Sequence, residues 1–91
     1  MALDILTTTA FERDLRRVAR QGKSLDYLED VVDLLQAGRS LPRRCRPHPL
    51  RGKWSGHWDC HVAPDWLLLY KVTPTQLILV RTGSHSELFQ S

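Results

Sequence analysis

The chain has 91 residues, room for one modest core and one domain (1–91), and its 42% hydrophobic and 25% charged content is that of a folded protein, not a disordered one. Thirteen Lys and Arg against ten Asp and Glu give +3, and all basic residues but Arg81 precede residue 72, so a nucleic-acid partner is a candidate beside the plainer reading of a solvated basic face. Two cysteines exclude a disulfide scaffold, no apolar run is long enough to span a membrane, and no basic-then-apolar leader precedes the first element, so a cytoplasmic location is expected.

Ala2 to Thr7 predict a short first strand. Thr9-Ala10-Phe11-Glu12 has the form of a capping box that opens a helix, with Phe11, Leu15, Val18 and Ala19 as its apolar stripe and Gly22 as its stop. Arg13, Arg16, Arg17 and Arg20 occupy its other faces. Ser24 opens a second helix with the stripe Leu28, Val31, Val32 and Leu35, closed by Gly38; the short connection makes the pair a helical hairpin. From Arg39 to Lys53 prolines oppose regular structure, and Arg43, Arg44, Arg46 and Arg51 make a basic loop.

Three strands are predicted after the loop, over 54–62, 66–72 and 76–82. The short connections Ala63-Pro64-Asp65 and Thr73-Pro74-Thr75 call for antiparallel hairpins. Trp66-Leu67-Leu68-Leu69-Tyr70-Lys71-Val72 is apolar on both faces, as a covered central strand must be. The fold class is therefore α+β, in the order β-α-α-β-β-β, with an antiparallel sheet and the helical hairpin packed on one face.

A meander of this kind gathers distant residues. His61 closes one strand, Asp65 and Trp66 open the next, and Arg81 ends the last, so all four fall at one end of the sheet, where the tail with His85 and Phe89 departs. Two imidazoles, a carboxylate and a guanidinium at one rim are sufficient for metal-free cleavage of RNA. A base takes the ribose 2′-OH proton, an acid protonates the leaving 5′ oxygen, and Arg81 holds the charge gathering on the phosphate. Trp66 and Phe89 are candidates to stack on unpaired bases, although each also suits a core or tail-pinning role. A zinc site is the competing chemistry, because Cys45-x-x-His48 and His57-x-x-Cys60 have ligand-like spacing. Two prolines stiffen the first pair, and strand parity sends His57 and Cys60 to opposite faces, so no metal and no other cofactor is expected.

Three longer runs carry a resemblance. They are His48-Pro49-Leu50-x-Gly52-x-Trp54-x-Gly56, then Asp59-Cys60-His61-Val62-x-Pro64-Asp65-Trp66-Leu67-Leu68-Leu69-Tyr70-Lys71, and then Leu79-Val80-Arg81-Thr82-Gly83-Ser84-His85-Ser86-Glu87-Leu88-Phe89. With the helical hairpin and Leu41-Pro42, nearly the whole chain resembles the YafQ branch of the RelE toxin superfamily, small toxins of type II toxin–antitoxin systems that cut messenger RNA, typically on the ribosome. The resemblance implies a RelE-like fold and active-site positions at His48, His61, Asp65, Trp66, Arg81, His85 and Phe89. It makes His85 the expected general acid, with His61 and Asp65 sharing the base role, His48 assisting, and the basic loop gripping phosphates. It also implies an acidic antitoxin with a ribbon-helix-helix-like N-terminus, and contact with operator DNA only through that antitoxin. One departure stands out: His57-Trp58 occupies a place where relatives commonly carry Tyr-Arg. The rival reading is a toxin-fold binding module that performs no chemistry and serves only in antitoxin and operator complexes.

Overall fold

The computed structural model describes residues 2–89, so the first residue and the last two of the expected domain lie outside the described residues. Its elements are β1 (Asp4–Thr7), α1 (Thr9–Arg20), α2 (Leu25–Gln36), β2 (His48–Pro49), β3 (Trp58–Ala63), β4 (Trp66–Val72), β5 (Gln76–Gly83) and α3 (His85–Phe89). The strands form one sheet in the order β1-β5-β4-β3-β2. The β-α-α-β-β-β frame is present, with two additions to the sequence reading. A two-residue strand, β2, pairs antiparallel with Trp58 and Asp59 inside the expected irregular loop, where Pro49 is tolerated because the strand lies at the sheet edge. The tail expected to be irregular is the short helix α3. The sheet is also mixed rather than wholly antiparallel. β1 lies parallel to β5, since its sheet neighbour is the last strand, reached through the helices and the meander.

β4 is central and its side chains divide the core. Trp66, Leu68 and Tyr70 join Phe11 and Val18 of α1 and Leu28 and Val31 of α2. Leu67 and Leu69 face the other way and pack with Leu88 of α3, Leu50, Trp54 and Val80. Alternation along a pleated strand produces this division, and burial on both faces accounts for the unbroken apolar run.

The start of α1 sits one residue earlier than its sequence signature suggested. Thr8, not Thr9, is the N-cap, its hydroxyl oxygen accepting from the Phe11 N–H at 2.9 Å. This shift matters because Thr8 also donates to the Val80 carbonyl at 2.7 Å. β1 covers β5 only as far as Leu79, and side chains of α1 take over beyond it. The Asp14 carboxylate accepts from the Thr82 N–H at 3.2 Å, and Arg17 donates to the Thr82 carbonyl at 3.0 Å. α1 thus satisfies backbone groups that a longer β1 would otherwise have paired.

Asp14 is 2% exposed, a carboxylate on the buried face of an otherwise arginine-rich helix. Its oxygens also receive Arg81 Nε at 2.5 Å, Arg81 Nη2 at 3.1 Å and Arg17 Nη1 at 2.9 Å. Burial pushes its pKa up, but the donations from Arg81, the Thr82 N–H and Arg17 outweigh burial and hold the carboxyl below its ordinary value. A group depressed in the folded state contributes stability above its unfolded pKa, about 4, and loses it as pH falls through the folded value. Asp14→Ala should cost about 3 kcal/mol at pH 7, because it leaves the Arg81 guanidinium and a buried N–H without their partner and removes one contact of Arg17. Urea unfolding midpoints at pH 7 and across pH 5 to 3 check both effects. The wild type should lose stability over the acid range, and the gap between it and the variant should narrow there.

Candidate active site

The candidate site is built around α3. Ser84 and Glu87 form a reciprocal capping box: Ser84 Oγ accepts from the Glu87 N–H at 3.2 Å, and Glu87 Oε1 accepts from the Ser84 N–H at 2.8 Å. The second carboxylate oxygen of Glu87 takes Gln21 Nε2 at 3.1 Å and lies 3.0 Å from Arg17 Nε. These contacts clamp α3 to the end of α1. Gly83 is the joint between β5 and α3. Its φ is +153°, and a Cβ there would lie 2.6 Å from Arg17 Nη2 and 2.8 Å from Glu87 Oε1. The absence of a side chain lets the clamp close.

His85 stands in the first turn of α3. Its backbone N–H at 3.1 Å and its ring Nδ1 at 2.9 Å both meet the same oxygen of Asp65. Asp65 sits in the β3–β4 turn with φ +52°, a left-handed conformation that Asp tolerates better than most residues. The bond from the His85 ring, followed by that from the His85 N–H, holds the Asp65 carboxyl below its ordinary pKa. A carboxylate held in this way is a poor proton acceptor and a good orienter. As a carboxylate it accepts a hydrogen bond from Nδ1–H and leaves Nε2 directed elsewhere. The His61 ring lies beside that of His85, with centroids 5.7 Å apart and planes inclined at 52°.

Asp59, which the sequence reading treated only as part of a motif, is the buried partner of the cluster. It is 4% exposed. Burial pushes its pKa up, while the nearby imidazoles of His48, His61 and His85 act against that rise. β2 brings His48 directly opposite Asp59, with Nε2 2.9 Å from Asp59 Oδ1 and Nδ1 3.0 Å from the Arg46 carbonyl. The contact with Asp59 is a close polar approach rather than an aligned hydrogen bond. Three histidines and two aspartates thus converge at the rim on β2, β3, the β3–β4 turn and α3.

The remaining expected residues separate. Trp66 is 2% exposed, its indole N–H donating to Thr82 Oγ1 at 2.9 Å, so the expectation that it stacks on a base is corrected. Parity places it with Leu68 and Tyr70 under the helices. Phe89 is exposed on α3. Arg81 is not a lone cation at the rim but is paired with Asp14, at the edge of a hollow of about 420 Å³ shared with Arg13, Arg16, Arg17 and Arg20. Five guanidinium groups around one carboxylate leave that hollow strongly positive. Arg43, Arg44, Arg46 and Arg51 are exposed, as a phosphate-gripping loop requires.

The residues with zinc-like spacing do not share one environment. Cys45 and Cys60 are buried under the helices, the His48 ring is engaged by Asp59 and the Arg46 carbonyl, and the His57 Nδ1 lies 3.2 Å from the Trp54 carbonyl. Among the described residues no group of three His, Cys, Asp or Glu side chains is placed to hold a metal ion. Burial, with Cys45 and Asp59 nearby, pushes the Cys60 thiol up to about 12, which leaves it unreactive as a nucleophile.

Comparison with known proteins bears on this arrangement. Residues 3–90 match the family described as the bacterial toxin of type II toxin–antitoxin systems, YafQ. The mRNA interferase toxin YafQ of Escherichia coli strain K12 is 37% identical over 87 residues, covering 94% of this chain and 95% of the relative. The YafQ chain of the E. coli DinJ–YafQ toxin–antitoxin complex superposes with a TM-score of 0.90 at 36% identity, covering 98% of this chain and 99% of that one. A metal-bound toxin from Helicobacter pylori superposes with a TM-score of 0.90 at 39% identity, covering 96% and 99%. No described helix is long and apolar enough to cross a membrane. On a match that spans nearly its whole length, the chain belongs to the YafQ family of bacterial toxins of type II toxin–antitoxin systems.

Proposed function

We propose that this toxin is an endoribonuclease that cleaves messenger RNA, positioned on the ribosome, by acid–base attack of the ribose 2′-OH without a metal. The observation that carries the reading is the set Asp65–His85–His61: one imidazole oriented by a carboxylate, with a second imidazole 5.7 Å away between ring centres. That spacing lets one ring reach the ribose 2′-OH and the other the leaving 5′ oxygen across one phosphorus. His61 takes the 2′-OH proton, the 2′ oxygen bonds to phosphorus, and the bond from phosphorus to the 5′ oxygen breaks as His85 protonates it. The products are a 2′,3′-cyclic phosphate and a free 5′-OH. The hydrogen bonds that Asp65 accepts from the His85 N–H and ring support a role in orienting His85, with His61 as the base. His48 and Asp59 set the charge behind His61, and Arg81 with the α1 arginines draws the phosphate in. Phe89 stacks on an unpaired base.

The name of the E. coli relative supports the RNA substrate, and the DinJ–YafQ complex supports an antitoxin partner for this chain. The expected partner has an acidic segment that covers the arginine-rich surface and a ribbon-helix-helix-like N-terminus through which alone operator DNA is reached.

His85 has a side chain 57% exposed, so His85→Ala should change stability by no more than about half a kcal/mol. Its loss should lower cleavage by about a hundredfold or more, the usual contribution of a positioned proton donor. Primer extension on a translated message, in chelator-treated buffer, should show wild-type cuts that disappear in the variant and on a message carrying 2′-deoxyribose at the cut position. Full cutting of the deoxy message would overturn the 2′-OH mechanism. Undiminished toxicity of His85→Ala at matched expression would favour the binding module.

Co-expression with the product of the adjacent gene should restore growth and yield a complex that survives size-exclusion chromatography. Arg13→Glu with Arg16→Glu should weaken that complex. Absence of any complex would refute the partner assignment.

A further inference from the structure

The side chains of His85 and Asp65 are 57% and 67% exposed, and a pair so open to water restrains little by itself. Nor can α3 hold the imidazole alone, since a helix of five residues is too short to be stable. Glu87 supplies the missing restraint, because its two oxygens are committed to different elements. Oε1 accepts from the Ser84 N–H, one residue ahead of His85, at 2.8 Å, and Oε2 accepts from Gln21 Nε2 at 3.1 Å. Oε2 also lies 3.0 Å from Arg17 Nε, a close ionic approach without hydrogen-bond alignment. Arg17 is held in turn, with Nη1 on Asp14 at 2.9 Å and Nη2 on the Thr82 carbonyl at 3.0 Å. The bond from the Ser84 N–H, with Gln21 and Arg17 behind it, outweighs burial and keeps the Glu87 carboxyl below its ordinary pKa.

We propose that Glu87 is a positioning residue for the acid step: by tying the first turn of α3 to α1 it sets the His85 imidazole on Asp65 and at the leaving oxygen. The inference rests on the RNA-cleavage reading. A proton donor acts only within hydrogen-bond reach of the oxygen it protonates, so a small displacement costs rate out of proportion to its size. The His85 N–H and ring meet the same oxygen of Asp65, and a slide or rotation of α3 disturbs both contacts together. Leu88, buried in the apolar cluster, keeps α3 docked when Glu87 is lost, so the fold survives and only the register of the first turn is released. The Glu87 carboxylate is turned to α1, and its influence on the reaction passes through His85. Gly83 provides an independent entry to the same clamp. A Cβ there would lie 2.6 Å from Arg17 Nη2 and 2.8 Å from Glu87 Oε1, so Gly83→Ala intrudes on the pair without removing either charge.

Single-turnover cleavage of a ribosome-bound message by Glu87→Ala, His85→Ala and the double variant tests the assignment. Glu87→Ala should lower the maximal rate by about tenfold or more, with the half-saturating concentration unchanged. The double variant should be no slower than His85→Ala, because Glu87 has nothing left to position. Multiplied losses in the double variant, or a raised half-saturating concentration at an unchanged maximal rate, overturn the proposal. Gly83→Ala should reproduce the Glu87→Ala defect. Amide hydrogen exchange decides the clamp separately from cleavage. In Glu87→Ala the His85 N–H should exchange about tenfold or more faster, while Val18 and Leu68 keep their wild-type protection and show that the fold is intact. Glu87→Gln keeps an acceptor for the Ser84 N–H and loses only the charge facing Arg17, so it should lie between wild type and Glu87→Ala in both readouts. Unchanged His85 protection in the variants overturns the clamp. Faster exchange in a protein whose wild type cuts no RNA retains the clamp and rejects the cleavage reading.

Discussion

The Asp14 carboxylate is the constraint on which the rest of the structure depends. Burying an unpaired carboxylate would be prohibitive, so its retention under α1 requires that nearly every lone pair be used. Arg81, Arg17 and the Thr82 N–H use them. The same set of bonds closes the edge of β5 where β1 stops, ties α1 to the sheet, and holds the guanidinium groups of Arg17 and Arg81 at one carboxylate. Arg17 then extends the chain of contacts, because its remaining nitrogens reach the Thr82 carbonyl and Glu87. A single buried charge therefore connects the first helix to the last.

That connection seats His85. α3 has only five residues, too few to be stable alone, and it is held by Leu88 in the apolar cluster below the sheet, by its own capping box, and by the Arg17–Glu87 pair. With α3 in place, the His85 backbone and ring both meet Asp65, so the helix position and the imidazole orientation are set by one oxygen. The rim itself is exposed, but its charge is organised from beneath by buried Asp59, which faces three imidazoles. The cationic hollow along α1 adds a second field, positive and open, suited to the polyanion on which the rim would act.

Much of this was legible in the residues, for identifiable reasons. The unbroken apolar run of β4 announced a strand covered on both faces, and the two proline-bearing turns announced a meander. From those two facts the meeting of His61, Asp65 and His85 follows. What escaped was the part that depends on a polar residue in an apolar pattern. Asp14 falls between Phe11 and Val18 at helical spacing, on the stripe itself, and a charge at that position signals a buried pair rather than a solvated face. Ser84-x-x-Glu87 is a capping-box sequence as clear as the one read at Thr9, yet its position in a polar tail hid α3. Trp66 opens the strand at the rim and so suits a stacking role as well as a core one, and the parity of Leu68 and Tyr70 decides for the core. Pairing across a two-residue strand, which puts His48 opposite Asp59, has no periodicity to reveal it.

The central claim is that His61 and His85 divide the proton transfers, with Asp65 aligning the acid. A message whose scissile 5′ oxygen is replaced by sulfur tests this most directly, because a thiolate leaves without needing a proton. Single-turnover cleavage of that message by His85→Ala should recover to near the wild-type rate, while His61→Ala stays slow on both messages. Failure of the sulfur substitution to rescue His85→Ala, or equal rescue of both variants, would contradict the assignment of His85 as the acid and His61 as the base.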